Sequence, residues 1–252
     1  MVSPLSVSHT KLLIPQRRRE LVSRPRLLDM MSELLDFRLI IIAAPAGYGK
    51  TSLLIDFSTN FDWPVCWFAL DSLDNDPLRF LSHFVMSIRH RFPDFGNEAI
   101  NMLRSTPVDQ LNSDYLISAL ANDIYEKITE HFVVVLDDYH LVNANPEIDQ
   151  FISDFIQRTD DNCHIIIASR KLLTLPDLPL MVARAQVGGL SIEELAFQPA
   201  EIQRLYSQVF HKEITLAESE EIAAASEGWI TGLLLTSPLL RSSLGEPVKI
   251  AR

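Results

Sequence analysis

The sequence predicts an α/β fold, a doubly wound parallel sheet followed by a small helical unit, on three observations. Four continuous apolar runs, at residues 39–43, 65–70, 132–136 and 164–168, lack the alternation of a half-exposed sheet and read as strands covered on both faces. Segments with helical spacing, at 51–57, 77–91, 113–129 and 146–157, separate or follow them, and strand-then-helix four times over is the signature of parallel crossovers. Beyond residue 190 the pattern is helical and no further strand is expected.

Composition bounds the rest. The chain has 252 residues, 47% of them hydrophobic, enough for a packed core in one or two domains at about 150 residues each. Its 33 acidic residues exceed its 22 basic ones, so the net charge of −11 opposes binding of polyanionic DNA by the body of the chain. Two cysteines, Cys66 and Cys163, lie inside apolar runs and suggest neither a disulfide framework nor a zinc site, as suits a reducing cytoplasm. The longest apolar stretch, 39–46, falls far short of the roughly 20 residues that span a bilayer, and the N-terminal residues show no cleavable signal pattern. A soluble cytoplasmic protein without membrane contact is expected.

Along the chain, residues 1–36 read as an arm and a first helix, 37–190 as the sheet-bearing core and 191–252 as the helical unit. The arm carries Lys11, Arg17, Arg18, Arg19, Arg24 and Arg26 against Glu20 alone, before helical spacing begins at Leu27, Leu28, Met31 and Leu34. Such an arm either touches nucleic acid or packs along an acidic body; six charges give only weak non-specific affinity, which favours packing. Residues 175–179 read as a Pro-punctuated loop and 182–187 as an edge strand. Thr215 with Glu218 forms a capping box, and Gly228 is placed to end the helix that follows. Residues 238–252 are polar without a closing element, as expected of a piece of a longer protein. The seven histidines show no ligand spacing, suggest loop and helix faces and receive no chemistry. Phe80, Phe84, Met86 and Phe92 recur at helical intervals and are read as core.

Residues 44–51, Ala-Pro-Ala-Gly-Tyr-Gly-Lys-Thr, directly follow the first strand and open a helix, as a phosphate-binding loop requires, with alanine in place of its first glycine. Gly47 and Gly49 allow backbone dihedrals that turn successive N–H groups inward, and the helix adds its positive N-terminus. Ala46, Gly47, Tyr48, Gly49, Lys50, Thr51 and Ser52 are therefore the candidate phosphate ligands. Lys50 is expected to neutralise the β- and γ-phosphates, and Thr51 to give its hydroxyl to Mg²⁺, which prefers oxygen ligands. The third strand ends in Asp137 and Asp138, at the strand edge where ligands bind in open parallel sheets. Alone, such a pair is more often just a turn; with the loop, Asp137 is expected to orient the metal and Asp138 to polarise an attacking water, so that Lys50, Asp137 and Asp138 form the catalytic set. Arg170 leaves the fourth strand on the same edge, as a γ-phosphate contact or as a plain surface arginine.

At these residues the chain resembles the N-terminal nucleotide-binding module of MalT-like transcriptional regulators, large LuxR-type activators in the STAND class of signal-transducing P-loop ATPases. Thr10-Lys11-Leu12, residues 22–28, 44–51, 67–71 and 74–80, Leu136-Asp137-Asp138-Tyr139-His140, Ala168-Ser169-Arg170, Leu195-Ala196-Phe197 and Glu227-Gly228-Trp229 match in order along nearly the whole chain. The resemblance implies a three-layer P-loop core with a helical lid and ATP or ADP, with Mg²⁺, between them. It implies phosphate binding by Gly47, Gly49, Lys50 and Thr51, metal work by Asp137 and Asp138, γ-phosphate sensing by Arg170, and residues 22–26, including Val22 and Arg24, near the adenine together with Gly228 and Trp229. Trp229 reads alternatively as a helix-end core residue. The implied function is a weak ATPase that acts as a switch and controls inducer-dependent self-association, with nucleotide, further copies and a small-molecule inducer as partners in the full-length protein, and DNA only through a C-terminal domain outside these residues. An AAA-like ATPase and a nucleotide-docked interaction scaffold are the alternatives. Two positions depart from the pattern: Gly228-Trp229 continues as Ile230-Thr231 where relatives usually carry Pro-Ala or Ala-Thr, and Gln198 stands at a helix start often held by Ser or Thr.

Overall fold

The β-branched and leucine-rich runs form a sheet of five parallel strands, β1 (Leu39–Ala43), β2 (Val65–Ala69), β3 (Phe132–Asp137), β4 (Cys163–Ser169) and β5 (Val187–Leu190), in the order β2-β3-β4-β1-β5. The computed structural model describes residues 7–18, 21–106, 112–143 and 145–236. Arg19, Glu20 and the polar tail 238–252 lie outside the described residues.

Successive side chains of a strand point to opposite faces, so each run feeds two cores. One face presents Cys66, Phe68, Val134, Leu136, Ile165 and Ile167 to α3 (Pro77–Arg91), α4 (Asn97–Ser105), α5 (Ser113–Lys127) and α6 (Pro146–Arg158). The other presents Ile40, Ile42, Trp67, Val133, Val135 and Ile166 to α1 (Pro25–Leu34) and α2 (Lys50–Asn60). Capping is local and legible: Asp76, Asn112 and Asn145 accept first-turn N–H groups of α3, α5 and α6, and proline opens α3 and α6 where a helix N–H is unpaired in any case. The third cluster belongs to the helical unit, α8 (Ile192–Leu195), α9 (Pro199–Phe210), α10 (Leu216–Ser226) and α11 (Ile230–Thr236), where Phe197, Ile202, Leu205, Ile214 and Leu233 pack with Val22 of the arm. The capping box of Thr215 and Glu218 opens α10, and Gly228, at φ 67°, follows its end.

Three expectations are corrected. The edge strand begins at Val187, because Pro179 starts a short helix, α7 (Leu178–Ala183), and the chain turns at Ala185 with φ 53°. Gly189 allows β5 to close on β1: a Cβ there would stand 2.4 Å from the Ile41 carbonyl oxygen. α4 was not expected; it starts from the left-handed Gly96, whose N–H is held by the Asp123 carboxylate at 2.7 Å, and it buries Ala99, Ile100 and Leu103. His164 lies in a strand rather than on a loop or helix face, and both it and the helical His83 are buried. His83 sits inside α3 and accepts the Ser8 N–H at 3.0 Å, and His164 lies in β4 with its Nδ1 3.0 Å from the Phe37 carbonyl oxygen.

The basic arm packs along the acidic body. Lys11 pairs with Asp71 at 2.7 Å and with the buried Asp74, Arg17 with Asp56 at 2.8 Å, and Arg24 with Glu201 at 2.8 Å. The centre of the larger core is aromatic, with Phe84 edge-on to Phe151 and Phe155 at 5.2 and 4.9 Å. Phe84→Ala is expected to cost about 3–5 kcal/mol of stability, read as a lowered denaturant midpoint at unchanged slope.

Candidate nucleotide-binding site

The loop between β1 and α2 takes its shape from two glycines in the left-handed region, Gly47 at φ 87° and Gly49 at φ 80°. α2 then begins at Lys50 with no side-chain cap and no acidic residue in its first turn, so no side chain competes for its leading amides. Lys50 is buried, and its Nζ donates to the carbonyl oxygens of Ala44 at 2.6 Å and Pro45 at 3.0 Å. Burial lowers its pKa; Asp138 and Asp137 oppose that shift and Arg170 adds to it.

The Thr51 hydroxyl donates to Asp137 Oδ1 at 3.1 Å, and the Asp138 N–H donates to the same oxygen at 3.1 Å. Asp137 is 4% exposed, and its carboxyl is pushed up to about 6, first by burial and then by the neighbouring Asp138, against the Thr51 hydrogen bond and the charge of Lys50. Asp138 sits in the left-handed region at φ 61°, a conformation aspartate tolerates better than most residues, and its partly exposed carboxylate lies 3.7 Å from His140 Nδ1. Burial lowers the pKa of His140, as does the charge of Arg170. Arg170 itself is exposed just beyond the end of β4.

A cavity of about 430 Å³ opens beside this cluster. Val22 and Arg24 from the arm, Gly49, Ser52 and Leu53 from the loop and α2, and Phe197, Leu205 and Ile230 from the helical unit are among its lining residues. The unit thus roofs a largely apolar chamber that starts at the phosphate loop, as a bound nucleoside needs. Two residues expected near the adenine have partners of their own within the protein. Arg24 lines the cavity, but its guanidinium donates to the carbonyl oxygens of Leu195 and Ala196, both at 2.9 Å, pairs with Glu201, and lies 4.1 Å over the Phe197 ring. Trp229 is not among the lining residues; its indole N–H donates to the Ala46 carbonyl oxygen at 2.9 Å. Lys50, Thr51, Asp137 and Asp138 come together, while Arg170 stands at the same sheet edge.

Sequence reasoning missed Thr231, whose N–H and hydroxyl both reach the Gly47 carbonyl oxygen, at 3.2 and 3.3 Å, and Glu201, the buried partner of Arg24. Glu201 had a signal, since it stands three residues after Gln198 in a capping box at the start of α9. Thr231 had none beyond its place after Gly228-Trp229.

The residues present fit a nucleotide with its metal. The uncapped helix start suits an anion, and the Thr51 hydroxyl and Asp137 carboxylate supply the hard oxygens that Mg²⁺ prefers. Among the described residues no group of three or more His, Cys, Asp or Glu side chains could hold a metal, so a magnesium ion here would take its other ligands from phosphate and water.

No protein-family model matches the chain. The HTH-type transcriptional regulator MalT of Yersinia enterocolitica is 30% identical over 231 residues, 90% of this chain and 24% of that protein. The chain is similar to MalT. It spans about a quarter of that curated relative's length. Among solved structures, the STAND protein with a tetratricopeptide repeat sensor from Pyrococcus horikoshii superposes with a TM-score of 0.57 at 19% identity, over 87% of this chain and 30% of that one. The Walker-type ATPase of Pyrococcus abyssi gives 0.53 at 14% identity, over 86% and 67%. At these identities the likeness shows the fold alone, a parallel sheet flanked by helices. No helix among the described residues is long and apolar enough to cross a membrane.

The raised pKa of Asp137 has a defined sign. Its carboxyl ionises near 3.8 when free and near 6 in the fold, so its contribution to stability falls as pH rises through that window, and the full cost stands above it. Asp137→Asn keeps an acceptor for Thr51 and removes the charge. The ligand-free variant is expected to melt above the parent at about pH 8, by up to about 3 kcal/mol of stability, with the gap closing near pH 4. Melting curves across that range check it.

Proposed function

We propose that this chain is the nucleotide-operated switch module of a MalT-like transcription regulator, binding ATP or ADP with Mg²⁺ and hydrolysing ATP slowly. The observation that carries the reading is the meeting of Lys50, Thr51 and Asp137 on a loop and helix start whose Gly49 and Ser52 line a chamber roofed by the helical unit. Lys50 leaves the Ala44 and Pro45 carbonyls for the β- and γ-phosphates. Gly47, Tyr48, Gly49 and Ser52 offer backbone amides to the same groups, and Ala46 shapes the turn. Thr51 and Asp137 hold Mg²⁺, which supplies charge neutralisation on the phosphates. Asp138, beside the metal ligand and partly exposed, orients the attacking water. Arg170 reads the γ-phosphate, so that ATP and ADP differ by a charge-assisted hydrogen bond of about 1.5–3 kcal/mol.

In the switch, ADP holds core and helical unit together. ATP with an inducer favours the open, self-associating state of the full-length protein, and slow hydrolysis resets it. DNA is assigned to a C-terminal region outside these residues, in keeping with the net charge of −11.

Isothermal titration of the nucleotide-stripped chain tests the reading. Mg-ADP and Mg-ATP are expected to bind at one site, and Lys50→Ala to weaken both at least about tenfold with little change in melting temperature. Absence of binding by the parent, or unaltered affinity in the variant, overturns it.

A further inference from the structure

Three hydrogen bonds join the helical unit to the phosphate loop itself. The Trp229 indole N–H donates to the Ala46 carbonyl oxygen at 2.9 Å. The Thr231 backbone N–H and hydroxyl donate to the Gly47 carbonyl oxygen at 3.2 and 3.3 Å. The approach is close enough to exclude any side chain at Gly47: a Cβ there would lie 2.3 Å from Trp229 Nε1 and 2.5 Å from Thr231 Oγ1.

These contacts bear on the amides of the loop. A peptide group is planar and, with no cis bond among the described residues, its C=O and N–H point in opposite directions. Holding the Ala46 and Gly47 oxygens on the helical unit therefore turns the Gly47 and Tyr48 N–H groups away from it, into the curve of the loop. Gly47, free to rotate, is where such peptide groups are otherwise easiest to flip, and a flipped group would present a carbonyl oxygen to phosphate. We infer that Trp229 and Thr231 are positioning residues that aim the Gly47 and Tyr48 amides at the phosphates, so that these two contacts of the helical unit set affinity for the diphosphate, while its Phe197, Leu205 and Ile230 line the chamber. This rests on the nucleotide-binding reading above.

The indole is itself held in place. The Trp229 backbone N–H donates to the Ser226 carbonyl oxygen at 2.9 Å, and the ring lies against Gly232, where a Cβ would stand 2.5 Å from Trp229 Cε3. Gly228, left-handed and bonded through its carbonyl oxygen to the Phe197 N–H at 3.0 Å, fixes the turn that delivers it. These contacts restrict the indole and the turn that carries it, which lowers the cost of ordering the loop on binding.

The test compares Mg-ADP with adenosine on the whole chain, the nucleoside being measured by competition against ADP. The double variant Trp229→Phe with Thr231→Val removes both side-chain donors, at nearly constant shape for Thr231 and with a smaller aromatic ring at Trp229. It is expected to lose about tenfold in ADP affinity with adenosine affinity unchanged, while Thr231→Ser keeps the parent's ADP affinity. Equal ADP affinity in parent and double variant overturns the inference, as does a parallel loss of ADP and adenosine, which would make the pair only a wall of the chamber. If the double variant does not fold, Thr231→Val alone carries the test, with about threefold weaker ADP and unchanged adenosine; unchanged ADP overturns it. A parent that binds neither ligand sinks the nucleotide reading first and this inference with it.

Discussion

One contact organises the site: the Thr51 hydroxyl on the Asp137 carboxylate, at 3.1 Å across 86 residues of sequence. It exists because β1 and β3 lie on either side of β4 in a parallel sheet whose registers bring their carboxyl ends level, Ala43 with Ser169 and Leu136 with Ile167. The glycine loop after β1, Asp137 and Asp138 at the end of β3, and Arg170 after β4 all lie at that edge. The contact also holds a buried carboxylate in a place where its charge is costly, and a cation would relieve that cost.

The helical unit is tied to this core at two places of different strength. Arg24 places its guanidinium on the carbonyls of Leu195 and Ala196 and on Glu201, in a buried network where loss of one partner strands a charge. Trp229 and Thr231 make neutral, partly exposed bonds to the loop carbonyls. The arm is part of the same structure, since Asp56 of α2 takes Arg17 and Ser23 while Val22 enters the core of the helical unit. Arm, loop and helical unit therefore enclose the chamber jointly.

Much of this was legible in the sequence because the determinants are local. Four apolar runs and a glycine-lysine-threonine turn define the strands, the loop and the carboxylate pair without reference to anything distant, and Thr215 with Glu218 announces its own helix. What the residues hid is long-range. The partner of Arg24 lies 177 residues away, and the indole of Trp229 meets a carbonyl 183 residues away; neither pairing leaves a spacing to read. β5 was misplaced for a related reason: Gly188 and Gly189 look like strand breakers, yet glycine at 189 is what lets the strand approach Ile41. α4 carries a helical spacing, but over only nine residues, and its left-handed start at Gly96 depends on Asp123.

A crystal structure of the chain grown with Mg-ADP addresses the central claim most directly. The account predicts the diphosphate within hydrogen-bonding distance of the Gly47 to Ser52 amides, Lys50 released from Ala44 and Pro45, a magnesium ion at the Thr51 hydroxyl with Asp137 beside it, and the adenosine in the chamber beneath Phe197. Phosphate density away from this loop, or a nucleotide seated elsewhere with Lys50 still on its carbonyls, would contradict it.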